Sequence, residues 1–107
     1  MPARRIETFL RSTDIFARYG GEEFVILLSE TSDAQAWQIA ERLRERVAEP
    51  YKINELEILV SISLGVSYWS SEGEITLDAL LDRADQALYA AKRTGRNQVL
   101  AWPISEN

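Results

Sequence analysis

The segment that decides the fold reads DIFARYGGEEFVILL and covers residues 14–28. Two mainly apolar runs, residues 14–19 and 22–28, flank the pair Gly20-Gly21. Glycine readily adopts the positive φ that a tight hairpin turn requires, so the segment predicts two antiparallel strands joined at this pair. The second run is apolar at successive positions, so both of its faces should be buried, and it predicts an interior strand.

Two amphipathic helices are predicted further along the chain. The first should run from about residue 33 to residue 48, because apolar residues recur there at helical spacing and Ser32 opens a capping-box pattern. The second should run from about residue 77 to residue 94, between a capping Thr76 and a terminating Gly95.

The remaining predicted elements are strands and the end of a helix. Residues 57–69 alternate between large apolar and mostly small side chains, which predicts one long strand. Residues 99–102 predict a short last strand, and residues 4–11 read as the last turns of a helix. Strands interleaved with helices indicate an α/β sandwich of two or three layers with a mixed sheet, in one domain over residues 1–107.

The composition excludes several classes of site. The 107 residues include no cysteine and no histidine, which excludes disulfides, thiolate or histidine-ligated metals and histidine catalysis. Any metal must therefore be a hard cation held by oxygen ligands. The net charge of −5 argues against a nucleic-acid polymer as partner, and no apolar run approaches the roughly 18 residues of a membrane span. A cytoplasmic protein that recognises a small anion fits this composition.

The predicted hairpin tip is the first candidate for chemistry. Without side chains at Gly20 and Gly21, a ligand can approach the backbone closely. Glu22 and Glu23 follow directly, and neighbouring strand residues point to opposite faces. One carboxylate would then bind a cation or accept a proton while the other makes structural contacts. The alternative, an ordinary turn with two solvated glutamates, stays open on the residues alone.

The motif Gly-Gly-Glu-Glu-Phe at residues 20–24 resembles the name motif of the GGDEF family in its Glu variant. Further blocks resemble family landmarks in the same order and spacing: AERLR at 40–44, VSISLGV at 60–66, ADQALYAAK at 84–92 and GRN at 95–97. The resemblance covers about residues 5–100 and implies a fold of the nucleotide-cyclase, ferredoxin-like kind. It also implies diguanylate cyclase activity, in which two GTP molecules form cyclic di-GMP and two pyrophosphates.

The resemblance also implies partners and roles. In this family two domains face each other, each with one GTP, so a homodimer is expected, and magnesium and positioning supply most of the catalysis. By motif position, Glu22 would be the Mg²⁺ ligand and the candidate base near the 3′-hydroxyl. The implied nucleotide-binding residues are Gly20, Gly21, the supporting carboxylate Glu23, and the phosphate-holding pair Lys92 and Arg96.

Lys92 and Arg96 also have an interpretation without a ligand. They lie four residues apart, which on one face at the end of a helix would give them a common target. The alternative is that the two cations only compensate the negative end of the helix dipole.

A second pattern, Arg11-Ser12-Thr13-Asp14, matches the family's Arg-x-x-Asp inhibitory site for cyclic di-GMP, which ends five residues before the glycine pair. Arginine can grip phosphate and stack on guanine, and aspartate can accept a hydrogen bond from the guanine edge. Arg42 matches an arginine that such sites borrow from the facing domain. The alternative is an ordinary helix-end arginine and an aspartate at the start of a strand.

Full family domains begin with a strand carrying a metal-binding aspartate and a helix with guanine-reading Asn and Asp residues, and Met1 comes after both. The resemblance therefore implies an N-terminally truncated domain that is inactive or nearly so by itself. The absent strand normally lies between the 22–28 and 57–69 strands, so two apolar strand edges should be exposed. These edges predict dimerisation by strand exchange or edge pairing, or closure of the gap within the chain.

Three functions stay open at this point. The chain is a fragment of a diguanylate cyclase, a non-catalytic cyclic di-GMP-binding module that acts through Arg11, Asp14 and Arg42, or a structural dimerisation piece. Because family domains usually follow sensor domains, a regulatory domain upstream is also expected.

Overall fold

The computed structural model describes residues 5, 15–18, 24–28, 32–69 and 75–103. Within these residues the chain forms strands and helices in the order β1 (Ile15–Arg18), β2 (Phe24–Leu27), α1 (Asp33–Ala48), β3 (Tyr51–Ile53), β4 (Leu56–Ile58), β5 (Leu64–Val66), α2 (Leu77–Arg93) and β6 (Val99–Ala101). The predicted α/β class is confirmed.

The first two strands form the predicted antiparallel hairpin, but in a different register. Arg18 lies opposite Phe24, and Ile15 lies opposite Leu27. A two-residue turn at Gly20-Gly21 would instead pair Arg18 with Glu23, because paired positions in an antiparallel ladder are symmetric about the turn. The described register therefore differs by one residue from the one that a two-residue turn predicts, and the glycine pair itself lies outside the described residues.

Helix α1 begins as its capping residues predict. The Ser32 side chain accepts a hydrogen bond from the backbone N–H of Gln35, and the Gln35 side chain accepts from the backbone N–H of Ser32 at 3.1 Å. Two of the N–H groups that have no partner within the helix are thereby satisfied. The buried face of the helix carries Ala40, Leu43 and Val47, so its apolar stripe is the predicted one.

Helix α2 lies directly on β5. A Cβ atom added at Gly65 would overlap the carbonyl oxygen of Ala84 and the amide nitrogen of Leu88. Only glycine permits this approach of strand and helix backbones. One turn earlier on α2, the carbonyl of Leu80 accepts a hydrogen bond from the hydroxyl of Ser67 at 2.6 Å, which fixes the helix along the strand.

The predicted long strand over residues 57–69 is wrong in its continuity. Its N-terminal end, β4, pairs with β3 in an unpredicted hairpin in which Asn54 has a φ of 58°, and its later part, β5, pairs in parallel with β6. Within the described residues, positions 59–63 have no strand partner. Alternation fixes which side chains face the core, whereas strand structure also requires a neighbouring backbone to complete its hydrogen bonds.

The core lies between α1 and two separate strand segments. Leu43 and Val47 are the innermost side chains, and partly buried apolar residues from both segments pack on them: Ile26 from β2, and Val60, Ile62 and Leu64. Within the described residues the strands form three two-stranded sheets, two antiparallel and one parallel, and β2 pairs with β1 alone. The predicted interior position of β2 in one mixed sheet is therefore not present in this part of the chain.

Candidate functional site

The end of α2 positions the two predicted phosphate-binding cations. The helix ends at Arg93, Thr94 caps it, and Gly95 follows with a φ of 132°. The backbone N–H of Arg96 then donates to the carbonyl of Ala91 at 2.9 Å. This is the hydrogen bond of a Schellman turn, so the predicted helix end at Gly95 is confirmed.

Arg96 lies in this turn and not on the helix face. Its φ of 61° is left-handed, and so is the φ of 46° at Asn97, a conformation that side-chain-bearing residues seldom adopt. Lys92 is half-buried on the last turn of α2, whereas Arg96 is exposed beyond it. Lys92 thus lies on the helix and Arg96 in the turn that follows it, and their common target stays a prediction.

A group of hydrogen bonds holds this turn against the rest of the fold. The side chain of Gln98 donates to the carbonyl of Ala91 at 2.9 Å and to the hydroxyl of Thr94 at 2.8 Å. The backbone carbonyl of Gln98 accepts from the backbone N–H of Leu64 at 2.9 Å, and the parallel pairing of β5 with β6 begins at the next residue, Val99. The turn is therefore attached to both the end of α2 and the start of β5.

Three side chains that were not singled out individually also hold the turn. Arg44 on α1 donates from Nη1 to Oδ1 of Asn97 at 3.2 Å, and the backbone N–H of Asn97 donates to Oγ of Ser63 at 3.1 Å. Arg44 also pairs with Glu41 at 3.2 Å. The signal was present in the sequence, because these residues belong to the quoted blocks AERLR, VSISLGV and GRN.

The other predicted site residues are divided between described and undescribed parts of the chain. Arg42 is exposed on α1, beside the buried Leu43. Arg11 and Asp14, its predicted partners in an inhibitory site, lie outside the described residues. The same holds for the predicted metal and nucleotide ligands Gly20, Gly21, Glu22 and Glu23. Their positions relative to Lys92 and Arg96 stay predictions.

The described residues contain neither an acidic cluster nor a membrane-spanning helix. Within the residues that the structure describes, no three acidic side chains come together as a metal site. In the same part of the chain, no helix has both the length and the apolar character to cross a membrane.

The sequence matches the family model described as diguanylate cyclase, GGDEF domain, over residues 2–98. The chain belongs to the GGDEF family. It is 40% identical over 105 residues to the bifunctional diguanylate cyclase/cyclic di-GMP phosphodiesterase MucR of Pseudomonas aeruginosa. This match covers 98% of this chain and 15% of MucR. It is 46% identical over 101 residues to the response regulator PleD of Caulobacter vibrioides, and this match covers 92% of this chain and 22% of PleD.

Solved GGDEF structures have the same fold. The GGDEF domain of DgcB from Caulobacter crescentus, in complex with c-di-GMP, superposes with a TM-score of 0.82 at 29% identity, over 94% of this chain and 60% of that one. The active GGEEF domain of a diguanylate cyclase from Vibrio cholerae superposes with a TM-score of 0.78 at 34% identity, over 97% of this chain and 65% of that one. This GGDEF chain thus spans less than a quarter of MucR and PleD and under two thirds of the two solved chains.

Proposed function

We propose that this GGDEF chain is part of a diguanylate cyclase domain that converts two GTP molecules into cyclic di-GMP and two pyrophosphates. The observation that carries the proposal is the family match over residues 2–98, which includes the Gly-Gly-Glu-Glu-Phe motif between the strands β1 and β2. The solved domain from Vibrio cholerae is described as an active GGEEF domain, which is the same Glu variant of the motif, and this supports the assignment.

In the proposed reaction the nucleotide binds against the hairpin between β1 and β2. Gly20 and Gly21 let the nucleotide lie against the backbone, and the Glu22 carboxylate accepts the proton of a GTP 3′-hydroxyl. The 3′-oxygen forms a bond to the α-phosphorus of the GTP on the facing domain, while the bond from that phosphorus to the pyrophosphate oxygen breaks. Glu23 supports the loop as a second carboxylate.

Lys92 and Arg96 bind the triphosphate in this proposal. Charge-assisted hydrogen bonds from ammonium and guanidinium groups to phosphate oxygens are stronger than neutral ones, so two cations can orient the leaving pyrophosphate. The exposed position of Arg96 beyond the helix, with Lys92 one turn before it, suits a ligand that approaches from solvent. Compensation of the helix dipole remains the competing interpretation.

Mg²⁺ is the metal that the proposal requires. Carboxylate oxygens are the hard donors that Mg²⁺ takes, and with no cysteine or histidine in the sequence the chain offers no softer competitor. Glu22 would hold the ion, which when bound neutralises charge on the phosphates. Glu22 is the candidate ligand by its position in the family motif.

Incubation with GTP and MgCl₂ followed by chromatography of the nucleotides tests the proposal. Calorimetric titration with a non-hydrolysable GTP analogue should show binding that Glu22→Gln and Arg96→Ala weaken, with the exposed Arg46→Ala as the matched control. Turnover by the 107-residue chain alone is expected to be low or absent. Absence of both turnover and binding would reject the cyclase assignment.

A second candidate is a binding module for cyclic di-GMP without turnover. The exposure of Arg42 on α1 favours it, because an inhibitory site that borrows this arginine needs it on the surface. Titration with cyclic di-GMP should then show binding that Arg11→Ala and Asp14→Ala abolish. Binding of cyclic di-GMP without binding of the GTP analogue supports this module, and binding of neither nucleotide leaves only a structural role.

The proposal includes a homodimer, cytoplasmic and regulated by a sensor domain elsewhere in the same polypeptide. Two facing domains are needed for a reaction between two GTP molecules. The edge of β2 away from β1 and the edge of β5 away from β6 carry no strand in the described residues, which supports edge pairing or strand exchange between copies. Size-exclusion chromatography with light scattering should give a dimer mass, and a monodisperse monomer at all concentrations would contradict this part.

A further inference from the structure

We infer that Arg44, acting through Asn97, is a positioning residue for Arg96. The inference rests on the proposed function, because it assigns Arg96 to phosphate. Arg96 lies next to Asn97 in a turn whose backbone is left-handed at both residues. A left-handed conformation costs a residue such as Arg96 about 1–2 kcal/mol, so contacts from outside stabilise the turn.

The guanidinium of Arg44 is also held by a residue of its own helix. Its Nε and Nη2 donate to the two carboxylate oxygens of Glu41, one helical turn earlier, at 3.4 Å and 3.2 Å. The Arg44 side chain is only 21% exposed, so this pair is better shielded from solvent than a surface ion pair. The planar guanidinium therefore has a fixed direction, and its remaining nitrogen Nη1 donates to Asn97.

Asn97 receives contacts from two different elements. Its side-chain oxygen accepts from Arg44 of α1, and its backbone N–H donates to the hydroxyl of Ser63, just before β5. Together with the bond from Arg96 to Ala91, these contacts attach the turn to α1, α2 and the start of β5. The direction in which Arg96 leaves the fold is thus set by a side chain of another helix.

Such an arrangement affects binding more than folding. A cation that is held near its bound direction loses less conformational freedom when phosphate arrives. Removal of the Arg44 contact should leave Arg96 chemically intact but less ordered. The affinity for a triphosphate should therefore decrease by about threefold to tenfold.

Amide hydrogen exchange, followed by NMR on the ¹⁵N-labelled chain, tests the structural half of the inference. Arg44→Ala should accelerate exchange at the amides of Arg96 and Asn97 by about tenfold, because their bonds open more often. Arg46→Ala removes the same charge from an exposed position on the same helix and should leave both rates unchanged. If Arg44→Ala fails to fold, Asn97→Gly takes its place, since it removes the side-chain acceptor and glycine accepts the left-handed φ.

Calorimetric titration with inorganic tripolyphosphate tests the binding half. Arg44→Ala and Asn97→Gly should each weaken binding, and the double variant should be no weaker than either, because both remove the same contact. Unchanged exchange rates, or faster exchange with unchanged affinity, overturn the inference while wild-type binding keeps the proposed function. A wild-type chain that binds no tripolyphosphate rejects the phosphate role of Arg96, and the inference with it.

Discussion

The two helices of this chain are closed at their C-termini in different ways. At the end of α1, the guanidinium of Arg5 donates to carbonyl oxygens within residues 46–50, more than 40 positions away, and lies 3.4 Å from the centre of the Tyr51 ring. At the end of α2, the turn that follows the helix supplies the donors itself, through the backbone of Arg96 and the side chain of Gln98.

The two helix ends differ in whether the guanidinium group of the arginine takes part in closing the helix. Arg5 closes α1 with its side chain, so its charge is engaged with protein carbonyl groups. Arg96 closes α2 with its backbone N–H, and this closure does not depend on its guanidinium. A local turn can thus end a helix and present a cation to a ligand at once, which a long-range side-chain cap cannot.

The largest expected effect comes from lifting the middle of α2 from its strand. Gly65→Ala should lower the free energy of unfolding by about 3 kcal/mol, because the new methyl group overlaps backbone atoms of Ala84 and Leu88 that cannot rotate away. Urea denaturation followed by circular dichroism measures it. Ser61→Ala, exposed on the same segment, is the control and should stay near wild type. Equal midpoints for the two variants would contradict the close approach.

A smaller effect acts on the α2 turn itself. Gly95→Ala should cost about 1–2 kcal/mol, since alanine is strained at the positive φ of this position. Arg96→Gly should change stability by less than about 0.5 kcal/mol, because relief of left-handed strain offsets the greater freedom of glycine in the unfolded chain. The same urea titrations compare the two. A loss on Arg96→Gly as large as that on Gly95→Ala would show that the guanidinium, and not the backbone, closes the helix.

The corresponding change at α1 should be smaller again. Arg5→Lys keeps the charge but not the planar fork that reaches several carbonyl groups, and should cost about 1 kcal/mol. The matched control is Arg46→Lys, an exposed arginine of α1 whose backbone carbonyl receives one of these bonds. Thermal unfolding of the two variants should separate them. A control that loses as much as Arg5→Lys would remove the distinction between the two helix ends.

The smallest effect concerns the opposite end of α1, where Asp33 begins the helix. Burial, and to a lesser extent the Asp33 carboxylate, raises the pKa of Tyr68 above its ordinary value of 10.0. The folded state therefore holds the phenol proton more tightly than the unfolded state. The resulting stability is present below pH 10 and is lost as the pH rises through the folded-state pKa. Urea midpoints of the wild type should fall more steeply above pH 10 than those of Tyr68→Phe, and parallel curves would contradict the shift.

Much of the fold was predictable because its signals are local. The capping pair at Ser32, the apolar stripe of α1 and the glycine at residue 95 each act within one or two helical turns, so neighbouring residues suffice to define them. The family motifs likewise predicted Lys92 and Arg96 as a pair. The structure adds that Lys92 lies in the last turn of α2 and Arg96 in the turn after it, and their common target stays a prediction.

Strand pairing was predicted less well, because a pattern of apolar residues does not identify the partner of a strand. The alternation over residues 57–69 identified the core-facing side chains Val60, Ile62 and Leu64. It could not show that β5 pairs in parallel with β6, a segment remote in sequence. It also missed the local hairpin of β3 and β4, because alternation does not mark the turn at Asn54. The register of the hairpin, with Arg18 opposite Phe24, was also beyond the local pattern.

The sequence by itself determined the α/β class, the limits of both helices and the family to which the chain belongs. Tertiary structure alone decided that Arg5 caps α1 and that Arg44 reaches Asn97. The physical reason is range: a cap or a turn is satisfied by atoms a few residues away, whereas these two arginines bond to groups brought near only when helices, strands and turns have packed together.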